Sequence, residues 1–122
     1  MYSGFDSGTS DLVGHAELAE IDGRQRTAML RRVIIDPERR RQGNGVSLVR
    51  AVLAVAFDEL ELHRIEVRVI VGNVAALGMY DRLGFSVEGR LREYRRSTNG
   101  VHSADVLSIL APEWRALSPS AT

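Results

Sequence analysis

The sequence has no cysteine, which removes disulfide frameworks, thiolate zinc sites and a cysteine nucleophile. It has no excess of either charge: sixteen basic side chains face sixteen acidic ones. A surface that binds polyanions along its whole extent is therefore excluded, and aromatics at 6% offer little for stacking on nucleic-acid bases. No apolar run reaches the length of a membrane span, and the N-terminus lacks a signal-peptide layout, so the chain reads as a soluble, cytoplasmic protein. Internal repeats are missing too. At 122 residues one domain with a modest core is expected.

What is present is an ordered alternation of patterns. Residues 1–11, small and polar, read as a flexible arm, and residues 118–122 as a flexible tail, with the domain between at 12–117. Rough alternation predicts a strand over 12–21, a turn at Asp22-Gly23-Arg24, and a second strand over 25–35 that Pro37 terminates. Helical spacing of Val49, Val52, Leu53, Ala56, Phe57 and Leu60 predicts a long helix over 46–62. Residues 63–71 are rich in β-branched side chains and read as a strand. A helix over 74–83 comes next, with Asn73 as its cap and Gly84 at its C-terminal stop. Two strands flank Asn99-Gly100, and Pro112 opens a short final helix. The result is an α/β (α+β) fold, a mixed sheet with a strand–helix–strand crossover at its centre.

Between the second strand and the first helix lies "DPERRRQGNG", residues 36–45. A helix start exposes backbone N–H groups that have no intrahelical partner, and the helix dipole there favours negative charge. Gly43 and Gly45 allow close approach, while Arg40 and Arg41 add forked cationic donors. The turn suits a diphosphate. Taken alone, the same spacing also fits a solvated basic turn. It is neither a Walker-type loop nor the dinucleotide fingerprint.

A second motif, "NVAALGMYDRLGF", covers residues 73–85 directly after a strand. Asn73 and Tyr80 lie seven residues apart, close to two helical turns, and so share a face. Together the two motifs resemble the GNAT superfamily of N-acetyltransferases, in a match running from about residue 12 to 110. The family's Arg/Gln-x-x-Gly-x-Gly/Ala turn is matched by Arg40 to Gly45, and its Asn-x-x-Ala-x-x-x-Tyr with Gly-Phe by Asn73, Ala76, Tyr80, Gly84 and Phe85. The distal stretch is similar to the branch containing ribosomal-protein-alanine N-acetyltransferases and other small-amine acetyltransferases.

The resemblance implies acetyl-CoA as co-substrate, no metal, and direct attack of a primary amine, on a protein N-terminus or a small molecule, at the acetyl carbonyl. It places the pantetheine arm on the backbone of Val33, Ile34 and Ile35 and on Asn73. The diphosphate falls on Arg40, Arg41, Gln42, Gly43, Asn44 and Gly45, and Tyr80 serves as general acid beside the thioester sulfur. A cofactor binder of the same family with little or no turnover is the alternative reading.

The attacking amine must lose a proton, at about 4.6 kcal/mol for a lysine-like amine at pH 7 and about 1.1 kcal/mol for an α-amine. Relatives with a glutamate base often carry it five positions before the asparagine, where this chain has Arg68. Glu66 or a water chain are the candidates for proton removal, with His15, Glu17, His102 and Asp105 behind them. Compared with the family, a strand and two helices that normally precede the region of Leu12 are missing. That reading leaves the strand from Leu12 as an open edge, and a homodimer is expected to cover it.

Overall fold

The computed structural model describes residues 2–5, 12–35 and 44–117. Two compact units, Met1–Ile65 and Glu66–Thr122, divide the chain. The first contains β1 (Tyr2–Phe5), β2 (Leu12–Asp22), β3 (Thr27–Ile35), α1 (Asn44–Ala54) and the opening residues of β4 (Arg64–Ile70). Its strands lie in the order β1-β2-β3, each pair antiparallel.

Alternation builds the hairpin of β2 and β3. Ala16 and Leu18 are buried, as are Ala28 and Leu30 on the facing strand, while Glu17 and Ala19 are only half-buried. The turn forms where Asp22-Gly23-Arg24 indicates it. The Asp22 carboxylate accepts from the amides of Arg24 at 2.9 Å and Gln25 at 3.0 Å, an aspartate turn that shapes the chain reversal. α1 packs on β2 and β3 through Leu48, Val49, Val52 and Leu53, all buried. Each contributes about 1.5–3 kcal/mol of burial.

Two expectations are corrected in this unit. The long helix over 46–62 ends at Ala54 and passes into a π-helical turn, Val55–Glu59. There Leu60 N–H donates to the Val55 carbonyl at 2.9 Å and Leu62 N–H to that of Ala56 at 2.9 Å. The widened turn lets Ala56, Phe57 and Leu62 all reach the interior, which a regular helix ending in solvent would not. The other correction concerns the arm. Tyr2–Phe5 is a strand, with Tyr2 opposite Ala16 and Gly4 opposite Gly14. The ladder groups of β2 that would otherwise be unpaired draw those residues into the sheet, so β2 is not the open edge that its sequence suggests. A strand therefore does precede Leu12.

The second unit holds the rest of β4, α2 (Val74–Arg82), β5 (Ser86–Ser97), β6 (Gly100–Leu110) and α3 (Ala111–Leu117). Its strand order is β4-β6-β5, and β5 and β6 form an antiparallel hairpin turned by Asn99-Gly100, with Gly100 at φ +118°. Val67, Val69, Leu83, Phe85, Leu107, Ile109 and Trp114 make its core. β5 is mostly exposed along its length. Two irregularities interrupt its pairing with β6, one between Val87 and Gly89 and one between Leu91 and Arg95, where Glu93 adopts φ +50°.

Candidate active site

In the first unit the residues of interest are the end of β3 and the start of α1. The ladder shifts register between His15/Ile34 and Glu17/Arg31, inserting one extra residue into β3. Arg32 takes the strain, with φ +54°, a conformation costing an ordinary side chain about 1–2 kcal/mol. Such a bulge twists the strand and re-aims the residues after it, here Val33, Ile34 and Ile35. Arg32 is held at 3.6 Å from Glu17, which also lies 3.5 Å from His15 Nε2. Arg31 lies 3.8 Å from Glu20. The basic run at residues 31–32 thus has acidic partners on β2 and is no free polyanion surface.

α1 begins at Asn44, so Asn44 and Gly45 form its first turn, and no acidic residue sits in that turn. Within that turn nothing negative opposes the positive end of the helix dipole. Arg40, Arg41, Gln42 and Gly43 lie outside the described residues.

In the second unit, Asn73 caps α2. Its Oδ1 accepts from the Ala76 amide at 3.2 Å, satisfying one of the orphan donors of the first turn. The capping role occupies the oxygen and leaves the exposed amide NH2 group as the donor end. Tyr80, two turns on, is 4% exposed and packs edge-on against Phe85, ring centroids 5.2 Å apart at 69°. Its hydroxyl has no hydrogen-bond partner among the described residues. Burial alone pushes its pKa up to about 12, so the phenol holds its proton throughout the neutral range. Gly84, at φ +94°, closes α2 and delivers Phe85 to the ring of Tyr80.

β4 runs into this helix through the turn at Val71-Gly72. Val67 and Val69 point into the core, and Glu66 and Arg68 occupy the opposite face. Arg68 Nε donates to Glu66 at 3.1 Å, and Arg68 Nη1 donates to the Tyr94 hydroxyl at 3.2 Å. Arg95 lies over the same Tyr94 ring, 5.4 Å from its centroid. The hydrogen bond from Arg68 is the largest of the influences that lower the Tyr94 pKa, and the same bond raises that of Arg68. Glu66 is engaged by a cation instead of standing ready as a base. Asp105, 8% exposed, is paired with Arg90 at 2.9 Å, and His102 bonds Ser97 at 2.9 Å near the hairpin end. Both serve the hairpin. Sequence reasoning missed Tyr94 and Arg95. Only the pairing of β5 with β6 brings them within reach of a residue on β4, and no local pattern announces that.

Residues 2–85 match the model of the Acetyltransferase (GNAT) family, and the chain belongs to that family. It is 37% identical over 83 residues to a spermidine N(1)-acetyltransferase of Vibrio cholerae, covering 68% of this chain and 47% of the relative. It is 33% identical over 85 residues to the [ribosomal protein bS18]-alanine N-acetyltransferase of Escherichia coli, covering 67% of this chain and 55% of the relative. Among solved structures, a mutant of the Vibrio cholerae spermidine N-acetyltransferase SpeG superposes with a TM-score of 0.85 at 30% identity, over 97% of this chain and 68% of that one. The chain spans about half the length of these curated relatives.

Proposed function

We propose that the protein transfers the acetyl group of acetyl-CoA to a primary amine by direct attack. One observation carries the reading. The ring of Tyr80 is buried, its hydroxyl has no partner among the described residues and keeps its proton at neutral pH, and it stands on the helix capped by Asn73. A hydroxyl held that way is a donor open to an acceptor, which a leaving sulfur would be. Acetyl-CoA supplies an activated acyl group and a thiolate leaving group. The chain's part is to hold it and to place the proton. Backbone groups of Val33 to Ile35, re-aimed by the bulge at Arg32, would accept the pantetheine arm. Arg40, Arg41 and the amides from Gln42 to Gly45 would hold the diphosphate, at a helix whose first turn carries no acidic residue.

The acceptor amine loses its proton through water, because Glu66 is bound to Arg68. An α-amine makes the smaller demand on such a route. Residence in the cytoplasm and assembly as a homodimer belong to the same reading, and sedimentation at twice the chain mass would support the second. Among the described residues no helix is long and apolar enough to cross a membrane.

The engagement of Glu66 also favours a second reading, a cofactor binder with little turnover. Thiol release measured against a panel of α-amine peptides, amino acids and polyamines separates the two. Release with at least one class supports transfer, and coenzyme A binding with no release on any amine supports the binder. All sixteen basic residues are arginine, so no side-chain amine of the protein can serve as acceptor and blur the assay.

A further inference from the structure

The outward face of β4 and the bulged part of β5 hold a group of side chains that the proposed acetyl transfer does not use. Arg68 is fixed at two points, by Glu66 through Nε and by Tyr94 through Nη1. A guanidinium has five N–H groups in a rigid fork. Two are used here. Both on Nη2 and the second on Nη1 have no acceptor among the described residues, and the side chain is 32% exposed. An arginine normally loses much rotamer freedom on binding a ligand; this one is already oriented. A second cation, exposed Arg95, flanks Tyr94, and an open depression of about 610 Å³ runs along Arg90, Leu91, Arg92, Glu93 and Tyr94. Arg68 stands five residues before Asn73, a chain path of about 17 Å at most to the start of the helix that carries Tyr80.

We propose that Arg68, anchored by Glu66 and Tyr94, binds a carboxylate on the acceptor, making the acceptor an amino-acid-like amine and not a polyamine. The claim rests on the acetyl-transfer reading and names its substrate class. The open fork matches a carboxylate in two-point geometry. A polyamine would bring ammonium groups against Arg68 and Arg95, like charges with no lone pair to accept their donors. Phosphate fits less well, since Glu66, hydrogen-bonded to the same guanidinium, repels a dianion more than a monoanion.

The test titrates the full chain with N-acetyl-alanine and with N-acetyl-alaninamide, which differ in the carboxylate, while NMR follows the Arg68 Nε–H and Tyr94 ring signals. Saturable shifts with the carboxylate, at least about tenfold tighter than with the amide, are expected for a charge-assisted forked contact. Arg68→Gln should reduce the carboxylate to the affinity of the amide, followed on backbone signals of β4. Arg68→Lys, which keeps charge without the fork, should fall between. Tyr94→Phe, which releases one anchor but leaves the fork, should weaken the carboxylate only and leave circular dichroism unchanged. Equal affinity for the two probes, or undiminished carboxylate affinity in Arg68→Gln, overturns the proposal. Calorimetry with coenzyme A on the same samples keeps the two claims apart. Coenzyme A binding without carboxylate preference sinks this inference alone, whereas carboxylate preference without coenzyme A binding sinks the acetyl-transfer reading and leaves the carboxylate site standing.

Discussion

Replacing Tyr80 by phenylalanine removes one oxygen and should separate catalysis from stability. The ring keeps its edge-on contact with Phe85 and its buried position, 4% exposed. The lost hydroxyl has no protein partner among the described residues, so its removal deprives the fold of no hydrogen bond. No buried side-chain polar atom among the described residues lacks a partner, so the unpartnered hydroxyl reaches solvent and the variant should match the parent's stability to within about 0.5 kcal/mol. Turnover should behave differently. A positioned general acid contributes about 10²–10⁴-fold, equivalent to roughly 3–5 kcal/mol of barrier. The pKa of about 12 sharpens the expectation. At pH 7 only about one molecule in 10⁵ has the phenol ionised, so the step that depends on Tyr80 should be independent of pH between 6 and 9. A thiol of pKa about 8.5 also lies well below the phenol, so complete proton transfer to the thiolate would be uphill. The phenol therefore acts by hydrogen bonding to the charge as it develops, with the proton moving late. Thermal melts, coenzyme A calorimetry and steady-state thiol release on parent and variant would check all of this. A parallel loss of cofactor affinity and rate, or a melting temperature lowered by more than a few degrees, would show that Tyr80 is a structural residue.

Three further expectations concern particular positions. Tyr80 should make the fold sensitive to alkali. The folded state holds this proton more tightly than the unfolded chain does, so its contribution is complete below pH 10 and is lost as pH rises towards about 12; denaturant midpoints across that window should lose this slope in Tyr80→Phe. Gly84→Ala should cost about 1–2 kcal/mol because φ is +94° there. The added methyl would also meet the Leu117 side chain, which is half exposed and can swing aside, so Leu117→Ala should not rescue the variant in thermal melts. Gly43→Val, one residue before the helix start at Asn44, should lower coenzyme A affinity by about a hundredfold or more with the fold intact, and normal calorimetric affinity would contradict the diphosphate assignment.

The parts of the fold legible in the sequence are those whose cause is local. The cap at Asn73, the stop at Gly84 and the turn at Asn99-Gly100 each arise from a residue whose own side chain, or lack of one, sets the backbone. All three appear where the sequence puts them. The bulges do not obey that rule. Glu20, Arg32 and Glu93 take positive φ with nothing in their side chains to favour it. Each lies at or beside a point where two strands fall out of step, so the conformation is set by the partner strand. Its cost of about 1–2 kcal/mol is met by ladder bonds and burial on either side. β1 is hidden for the same reason. "YSGF" has weak strand character, and the unpaired edge of β2, not its own composition, makes it a strand.

The same division runs through the candidate site. The asparagine–tyrosine helix is a local motif and could be read directly, whereas most of the glycine and arginine turn lies outside the described residues. The surroundings of the candidate base could not, because Arg68 meets Tyr94 across 26 positions of sequence. Along the chain, Glu66 and Arg68 are two alternating strand residues of opposite charge, and Glu66 is a candidate base, as is a water chain. Once folded, the arginine takes up the carboxylate and is itself pinned by a phenol from another strand. What looked like a base with a neighbour becomes a cation with two anchors. Charge on that face then favours an acceptor whose own charge is negative near its amine. The short motifs on which the family resemblance rests are local, while the proposed acceptor contact rests on a pair that only strand pairing creates.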